Sequence, residues 1–130
     1  MDATFSQASV TLPLQLEGSD AVGCDLPPFS PGDGGRVLSV TLHLSGVLPD
    51  RQVAAAIALE ELDGAGNPFP RGLRTLLLPP QPGPGRAEVE GPAVRFVLPA
   101  ELDLNPDGPR RLVLRADAHY VERGESSLLP

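Results

Sequence analysis

Apolar and polar residues alternate along several stretches of this chain. Residues 36–47 show the pattern most clearly, with Leu38, Val40, Leu42 and Leu44 on one face and Ser39, Thr41, His43 and Ser45 on the other. Successive side chains of a β-strand point to opposite sides, so a period of two indicates a strand with one buried face. Residues 36–47 are therefore predicted to form a half-buried strand.

Residues 8–16 alternate in the same way, and their apolar face consists of Ala8, Val10, Leu12, Leu14 and Leu16. Pro13 falls on the polar face. Proline has no N–H to donate to a neighbouring strand, which favours a position at the edge of a sheet. An edge strand exposes backbone groups to which another chain can add. The candidate assembly residues are therefore Val10, Leu12, Leu14 and Leu16, together with Cys24 in the segment that follows.

Further apolar runs at 73–78, 87–98 and 110–122 predict more strands, and Gly91 and Pro92 can divide the second run in two. Residues 51–62 are ambiguous, because their run of Ala, Leu and Glu has high helix propensity. Read with a period of two, Val53, Ala55, Ile57 and Leu59 share an apolar face. A strand fits better, since the turn residues that follow suggest a hairpin with 73–78. A helix there would make the fold α+β.

These elements together predict an all-β fold. About seven short strands with turn residues between them are typical of an antiparallel β-sandwich, either jelly-roll or immunoglobulin-like. The chain of 130 residues fits one domain, 1–130, with 1–7 as a loose N-terminal lead and 124–130 as a C-terminal tail. Segments 17–35 and 79–86 are rich in Gly and Pro and are predicted to be loops.

The charge balance narrows the classes of partner. The formal net charge is -7, and all ten basic residues are Arg. Binding to nucleic acid or to an anionic membrane depends on basic residues, so neither partner is expected. Without lysine the chain has no Schiff-base or Lys–Asn isopeptide chemistry. The first residues lack the basic and apolar regions of a signal peptide, so we expect synthesis in the cytoplasm and leave the final location open.

Catalytic residues are not expected. The histidines, His43 and His119, both fall on the polar faces of predicted strands, and no Gly-x-Ser-x-Gly motif accompanies them. Pairs such as Glu60 with Glu61, or Glu88 with Glu90, are typical of solvated strand faces. Residues 83–86 lack the lysine of a phosphate-binding loop. The protein is therefore predicted to be non-enzymatic and to need no cofactor.

Two arrangements could hold a metal ion. Asp117 and His119 share a strand face with Arg115, and His43 would lie opposite them if strands 36–47 and 110–122 paired. Separately, Asp103, Asn105 and Asp107 match the first half of a calcium loop, and Glu101 is a nearby acidic residue. The glutamate that completes such a loop is replaced by Leu114, so a tight turn explains these residues better.

Two functions of different classes follow. The first is a structural subunit that self-assembles into a filament, an appendage or a particle coat through its edge strand and terminal segments. The second is a ligand-binding or accessory module, such as a carbohydrate-binding domain, that uses loops 17–35 and 79–86. The predicted edge strand and the lack of a catalytic constellation favour the first, with other copies of the chain as partner and a larger surface or particle as the setting.

Residues 36–74 resemble small proteins of Gram-positive, spore-forming bacteria. The resemblance rests on strand residues 36–42 and 51–61 and on the turn residues Asp63, Gly66, Asn67, Arg71 and Gly72. Those proteins are similar in plan to endospore-appendage subunits, which are jelly rolls joined through N-terminal extensions. The resemblance implies a β-sandwich that assembles with itself, and it leaves open a final place on the cell or spore surface. Appendage subunits use several N-terminal cysteines for covalent links, whereas this chain has Cys24 alone, so non-covalent strand pairing would have to hold copies together.

Overall fold

A computed structural model describes residues 4–27 and 33–121. Most of this part is strand, and the strands are β1 (Thr4–Gln15), β2 (Ser19–Leu26), β3 (Asp33–Val47), β4 (Val53–Leu62), β5 (Pro68–Leu78), β6 (Ala87–Glu90), β7 (Val94–Pro99) and β8 (Arg110–Tyr120). The one helical element within it is a 3-10 turn at Ala100–Leu102. The predicted tail 124–130, and residues 1–3 of the predicted lead, lie outside the described residues.

The strands form two sheets that pack face to face. In sheet 1, β1 lies on one side of β3, and β6 and β7 lie on the other. Sheet 2 has the order β2-β8-β4-β5. Strand β1 packs over β2 and β8, and β7 packs over β5, so each side of the sandwich combines an edge of both sheets. The predicted all-β sandwich is confirmed, with eight strands in the described residues.

One pair of strands departs from the predicted antiparallel arrangement. Strand β1 runs parallel to β3 along its whole length, from Thr4 opposite Asp33 to Gln15 opposite Ser45. Parallel neighbours need a crossover connection, because a short turn cannot return the chain to its starting end. Here β2 lies in that connection, since it belongs to sheet 2 between two strands of sheet 1. The described part of the predicted lead, residues 4–7, belongs to β1 and is not loose.

The predicted loop 17–35 is wrong over residues 19–26, which form β2, and over residues 33–35, which begin β3. Strand β2 pairs with β8 from Ser19 opposite Asp117 to Leu26 opposite Arg110. Its inward residues Val22, Cys24 and Leu26 alternate with exposed Ala21, Gly23 and Asp25. The signal was therefore present in the sequence, but glycine and aspartate on the exposed face gave it the composition of a loop.

Strand β4 settles the ambiguity at residues 51–62. Its side chains alternate between buried and half-buried positions, and Val53, Ala55, Ile57 and Leu59 lie in the core as predicted for a strand. The strand is paired on both sides, with β5 and with β8. Tertiary pairing of this kind overrides a modest local preference for helix, because an isolated helix gains less from packing than a central strand does.

The core between the sheets is almost entirely aliphatic. Phe96 is the largest fully buried side chain, and leucines from β1, β3, β7 and β8 belong to the same core cluster. A second exception is charged: Glu61 continues the inward face of β4 and is 0% exposed. The expectation that Glu60 and Glu61 share a solvated face is thus wrong for Glu61, because adjacent strand residues point to opposite faces.

Two arginines surround the buried Glu61 carboxylate. Arg71 Nε donates to Glu61 Oε1 at 2.9 Å, and Arg110 Nε donates to Oε2 at 2.8 Å. The backbone N–H of Leu104 also donates to Oε2, at 3.2 Å. We refer to Glu61, Arg71 and Arg110 as the Glu61 cluster. Its members come from β4, β5 and β8, which are all strands of sheet 2.

The Glu61 cluster also reaches sheet 1. Arg110, which is 3% exposed, donates to the carbonyl oxygens of Leu98 and Pro99 at the end of β7. Arg71 Nη2 donates to the carbonyl oxygen of Leu102 at 3.0 Å. These bonds give partners to the two guanidinium groups. They also give partners to backbone carbonyl groups that would otherwise be unpaired near the core. The cluster thereby fastens one end of sheet 1 to sheet 2.

The same contacts set the pKa of Glu61. Burial alone raises the pKa of this carboxyl, but hydrogen bonds from Arg110, Arg71 and the Leu104 N–H outweigh burial and lower it below its ordinary value. A carboxyl whose pKa is lower in the folded than in the unfolded chain stabilises the fold above the unfolded pKa, about 4.3. That contribution is lost as the pH falls through the folded pKa.

We expect Glu61→Gln to lower the free energy of unfolding by about 3–5 kcal/mol, because it leaves two arginines without their counter-charge in a buried site. Glu60→Gln is the matched control, since Glu60 lies on the outer face and pairs with Arg115, whose side chain is 57% exposed. Glu60→Gln should lower the free energy of unfolding by less than about 1 kcal/mol. Urea unfolding at neutral pH measures both, and equal losses would contradict the assignment.

The difference between the wild-type protein and Glu61→Gln should shrink as the pH falls below the unfolded pKa of about 4.3, because the unfolded chain then binds a proton that Glu61 in the folded protein, with its lowered pKa, still resists. Unfolding curves between pH 3 and pH 7 test this expectation. A difference that stays constant across this range would mean that the charge on Glu61 does not contribute to stability.

Candidate functional site: the open edges of the two sheets

The predicted histidine site does not form. His43 lies on the outer face of sheet 1, where its Nε2 is 2.6 Å from Glu88 Oε1. His119 lies on the outer face of sheet 2, 3.5 Å from Glu17 and 3.9 Å from Asp117. Strands β3 and β8 belong to different sheets, so the suggested pairing of 36–47 with 110–122 is wrong. Within residues 4–27 and 33–121, no three His, Cys, Asp or Glu side chains are grouped as metal ligands.

The segment that resembles a calcium loop is used as a turn. Asp103 Oδ1 accepts a hydrogen bond from the backbone N–H of Asn105, and Asn105 Nδ2 donates to the carbonyl oxygen of Pro109. Arg110 Nε lies 3.9 Å from Asp103 Oδ1. Asp107 is exposed at the tip. The side chains of Asp103 and Asn105 thus hold the turn that leads into β8, and calcium binding at Asp103, Asn105 and Asp107 stays a prediction.

Cys24 faces the interior from β2 and packs against the core. Burial raises the pKa of its thiol, and the neighbouring negative charge of Asp25 raises it further. The thiolate is the reactive form of cysteine, so a raised pKa slows disulfide exchange. This position makes Cys24 a poor candidate for a covalent link between copies.

A groove lies beside the predicted ligand-binding loops. It has a volume of about 390 Å³, and its lining includes Glu17, Arg86 and Tyr120. Its polar groups already have partners: Arg86 Nη1 donates to the carbonyl oxygen of Gly46, and the Tyr120 hydroxyl accepts the N–H of Leu48 at 2.8 Å. The Arg51 guanidinium covers the Tyr120 ring at 4.2 Å. The groove therefore offers a ligand few unengaged polar groups.

Strand β1 is the most open edge of the molecule, in the position that Pro13 predicted. Its 12 residues pair with β3 on one side and have no strand on the other within the described residues. None of the 12 is charged. Proteins usually protect edge strands with charges, prolines, bulges or short length, because an open edge can pair with another chain. Pro13 is the chief protection here.

The other edges are better protected. Strand β2 carries Asp20 and Asp25, and β5 carries two arginines and two prolines. Strands β6 and β7 have only 4 and 6 residues, and both contain charges. The contrast with these neighbours makes β1 the part of the described chain best suited to pair with a further strand.

The predicted assembly residues on β1 face inward. Leu12 and Leu14 are 0% and 4% exposed, and Val10 and Leu16 pack against the same core. Their side chains therefore hold β1 in place rather than face a neighbour. What β1 offers a partner is its backbone and its exposed outer residues, which include Ser9, Thr11 and Gln15. A direct role in assembly stays a prediction for Val10, Leu12, Leu14, Leu16 and Cys24.

Taken together, the two sheets define a β-sandwich domain with an open edge strand. A family model described as exosporium protein B matches residues 31–126, and the chain belongs to this family. The predicted resemblance to spore-surface proteins of spore-forming bacteria is thus confirmed. Searches of curated proteins and of solved structures found no significant match. The described residues contain no helix that is long and apolar enough to cross a membrane.

We expect the Cys24 thiol to react several-fold more slowly with a chromogenic thiol reagent in the folded protein than in denaturant at the same pH, because it is turned inward and its pKa is raised. A chain carrying Ala21→Cys and Cys24→Ala is the matched control, since position 21 lies on the exposed face of the same strand and should react fast. Equally fast reaction of Cys24 and this control would contradict the inward placement and reopen disulfide linkage between copies.

Proposed function

We propose that this protein is a non-enzymatic structural subunit of the spore surface that self-assembles with copies of itself through the open edge of β1. The single observation that carries the proposal is the uncharged 12-residue edge. Membership of the exosporium protein B family supports the location, since the family is described as a protein of the exosporium. Assembly into a filament, an appendage or a coat uses the same kind of contact.

The physical basis of the contact is main-chain pairing. Along an edge strand, half of the N–H and C=O groups point away from the sheet, and a second strand satisfies them. Each such hydrogen bond contributes a net of only about 0.5–1.5 kcal/mol, so a single contact is moderate in strength. Repetition across a layer, where every copy is held by several neighbours, makes the assembly stable.

The alternative of a ligand-binding module receives less support. The groove beside Glu17 and Arg86 would be its site, and the polar side chains that line the groove are engaged within the molecule. Carbohydrate recognition also depends on exposed aromatic rings for stacking, and the chain has 4 Phe, 1 Tyr and no Trp. The one tyrosine is covered by Arg51.

We expect the purified chain to form large homo-oligomers, and the double variant S9K/T11K to form far fewer, because two lysines place like charges along an edge that is otherwise uncharged. The matched control is S39K/T41K. Ser39 and Thr41 lie directly opposite Ser9 and Thr11 on the central strand β3, so the same charges are added to the same face away from the edge.

Size-exclusion chromatography with light scattering, together with electron microscopy, measures both variants against the wild type. A wild-type protein that stays a 13.6 kDa monomer at high concentration would refute self-assembly. If S39K/T41K forms fewer oligomers than S9K/T11K, the copies stack through sheet faces instead of pairing at the β1 edge.

A further inference from the structure

We propose that neighbouring copies join head to tail, with β2 of one copy pairing with β5 of the next, so that Asp20 meets Arg74 across the contact. The inference rests on the proposed function, which is self-assembly through sheet edges, and adds its direction and partner surface. Two surfaces take part. The β1/β2 side consists of the free edges of β1 and β2, and the β5/β7 side consists of the free edges of β5 and β7.

The two sides carry opposite charges. Strands β1 and β2 contain Asp20 and Asp25 and no basic residue, whereas β5 and β7 contain Arg71, Arg74 and Arg95 and no acidic residue. Arg71 is engaged with Glu61. The ion pairs found among residues 4–27 and 33–121 include none of the other four residues, Asp20, Asp25, Arg74 and Arg95. Their charges therefore remain available to a second copy.

The strand register places Asp20 and Arg74 in one row across sheet 2. Asp20 lies opposite Ala116 on β8, Ala116 lies opposite Ile57 on β4, and Ile57 lies opposite Arg74 on β5. When a second copy is added by sideways displacement along this row, its Asp20 comes directly opposite Arg74 of the first. Directly opposed residues on paired strands have Cβ atoms about 4.5–5.5 Å apart, within reach of an ion pair.

The rows on either side are also compatible. By the same register, Ser19 would meet Thr75, and Ala21 would meet Leu73. Leu73 is 61% exposed in the single copy, which is high for a leucine, and pairing with a small alanine would cover part of it. Pro68 and Pro70 cannot donate to the new ladder, and β2 begins in the row of Thr75, so the contact on β5 is confined to residues 72–75.

Strand direction favours the same arrangement. Strand β2 is antiparallel to β8, β8 to β4, and β4 to β5, so β2 and β5 run in opposite directions. In sheet 1, β1 is parallel to β3 and β7 is antiparallel to it, so β1 and β7 also run in opposite directions. A sideways repeat therefore creates antiparallel pairs at both sheets. This makes the unusual parallel β1–β3 pair consistent with the proposed contact.

The alternative two-fold contact between two β1/β2 sides is disfavoured, because it would bring Asp20 and Asp25 of both copies together.

Glu88 and Glu90 on β6 lie on the same side of β3 as β7, but they cause no repulsion in the head-to-tail contact. The register places Glu90 in the row of Pro13, on the uncharged β1. A head-to-tail contact adds copies in one direction, and the twist of the strands turns the array helically unless the rotation between copies closes a ring.

The test compares the concentration at which assembly begins, measured by light scattering and by sedimentation. We expect D20R and R74D each to raise this concentration about tenfold or more, because like charges then face each other in every contact. The double variant D20R/R74D, which exchanges the two charges, should return to near the wild-type value. An equimolar mixture of the two single variants should also assemble, since each then meets its complement.

D25R is the matched control, because Asp25 lies on the same edge but in the row of Pro68, outside the proposed ladder. It should assemble nearly as well as the wild type. Arg74 also donates to the carbonyl oxygen of Arg95 and covers Phe96, so circular dichroism must show that R74D is folded. If R74D does not fold, D20R against D25R decides the question alone.

The outcomes separate the two proposals. If the wild type does not assemble, the proposed function fails. If the wild type assembles and D20R assembles as readily as D25R, self-assembly stands and the head-to-tail contact is overturned. If D20R blocks assembly but D20R/R74D does not restore it while folded, Asp20 contacts something other than Arg74, which also overturns the pairing.

Discussion

The carboxylate of Glu61, buried between Arg71 and Arg110, is the interaction on which the arrangement of the two sheets depends. A β-sandwich with an aliphatic core has little that fixes one sheet over the other, because dispersion contacts between leucines are not directional. Charged hydrogen bonds are directional. Through Arg110 and Arg71, the Glu61 cluster holds the end of β7 and the turn that follows it against β4, β5 and β8. It thereby aligns β5 with β7 on one side of the sandwich.

This alignment has a consequence for the surface. Because β5 and β7 lie together, Arg74 can reach from one sheet to the other, where it donates to the carbonyl oxygen of Arg95 at 3.1 Å and covers Phe96 at 4.9 Å. The basic residues of two separate strands thus form one surface. On the opposite side, β1 and β2 combine an uncharged edge with an acidic one. The chain therefore separates its charges between two sides of one small domain.

Much of the fold follows from local patterns. The period of two in residues 36–47 predicted β3 and its buried leucines, and Pro13 predicted that β1 is an edge strand. The same reasoning failed for β2, because Gly23 and Asp25 on its exposed face gave it the composition of a loop. It also failed for Glu61. The period of β4 places this residue on the inward face, but its charge led us to expect a solvated position. A buried charge is acceptable only with partners, and those partners are distant in sequence.

The sequence by itself determined most of the strands and most of their apolar faces, since each of these depends on side chains within a few positions of one another. The tertiary structure alone decided how strands pair. It made β1 parallel to β3, separated His43 from His119, and brought Asp20 into the row of Arg74. Pairing joins residues far apart along the chain, and it depends on the energy of the whole sandwich. No local period encodes it. For that reason the edge strand β1 could be predicted from the sequence, whereas the strand that pairs with it, β3, could not.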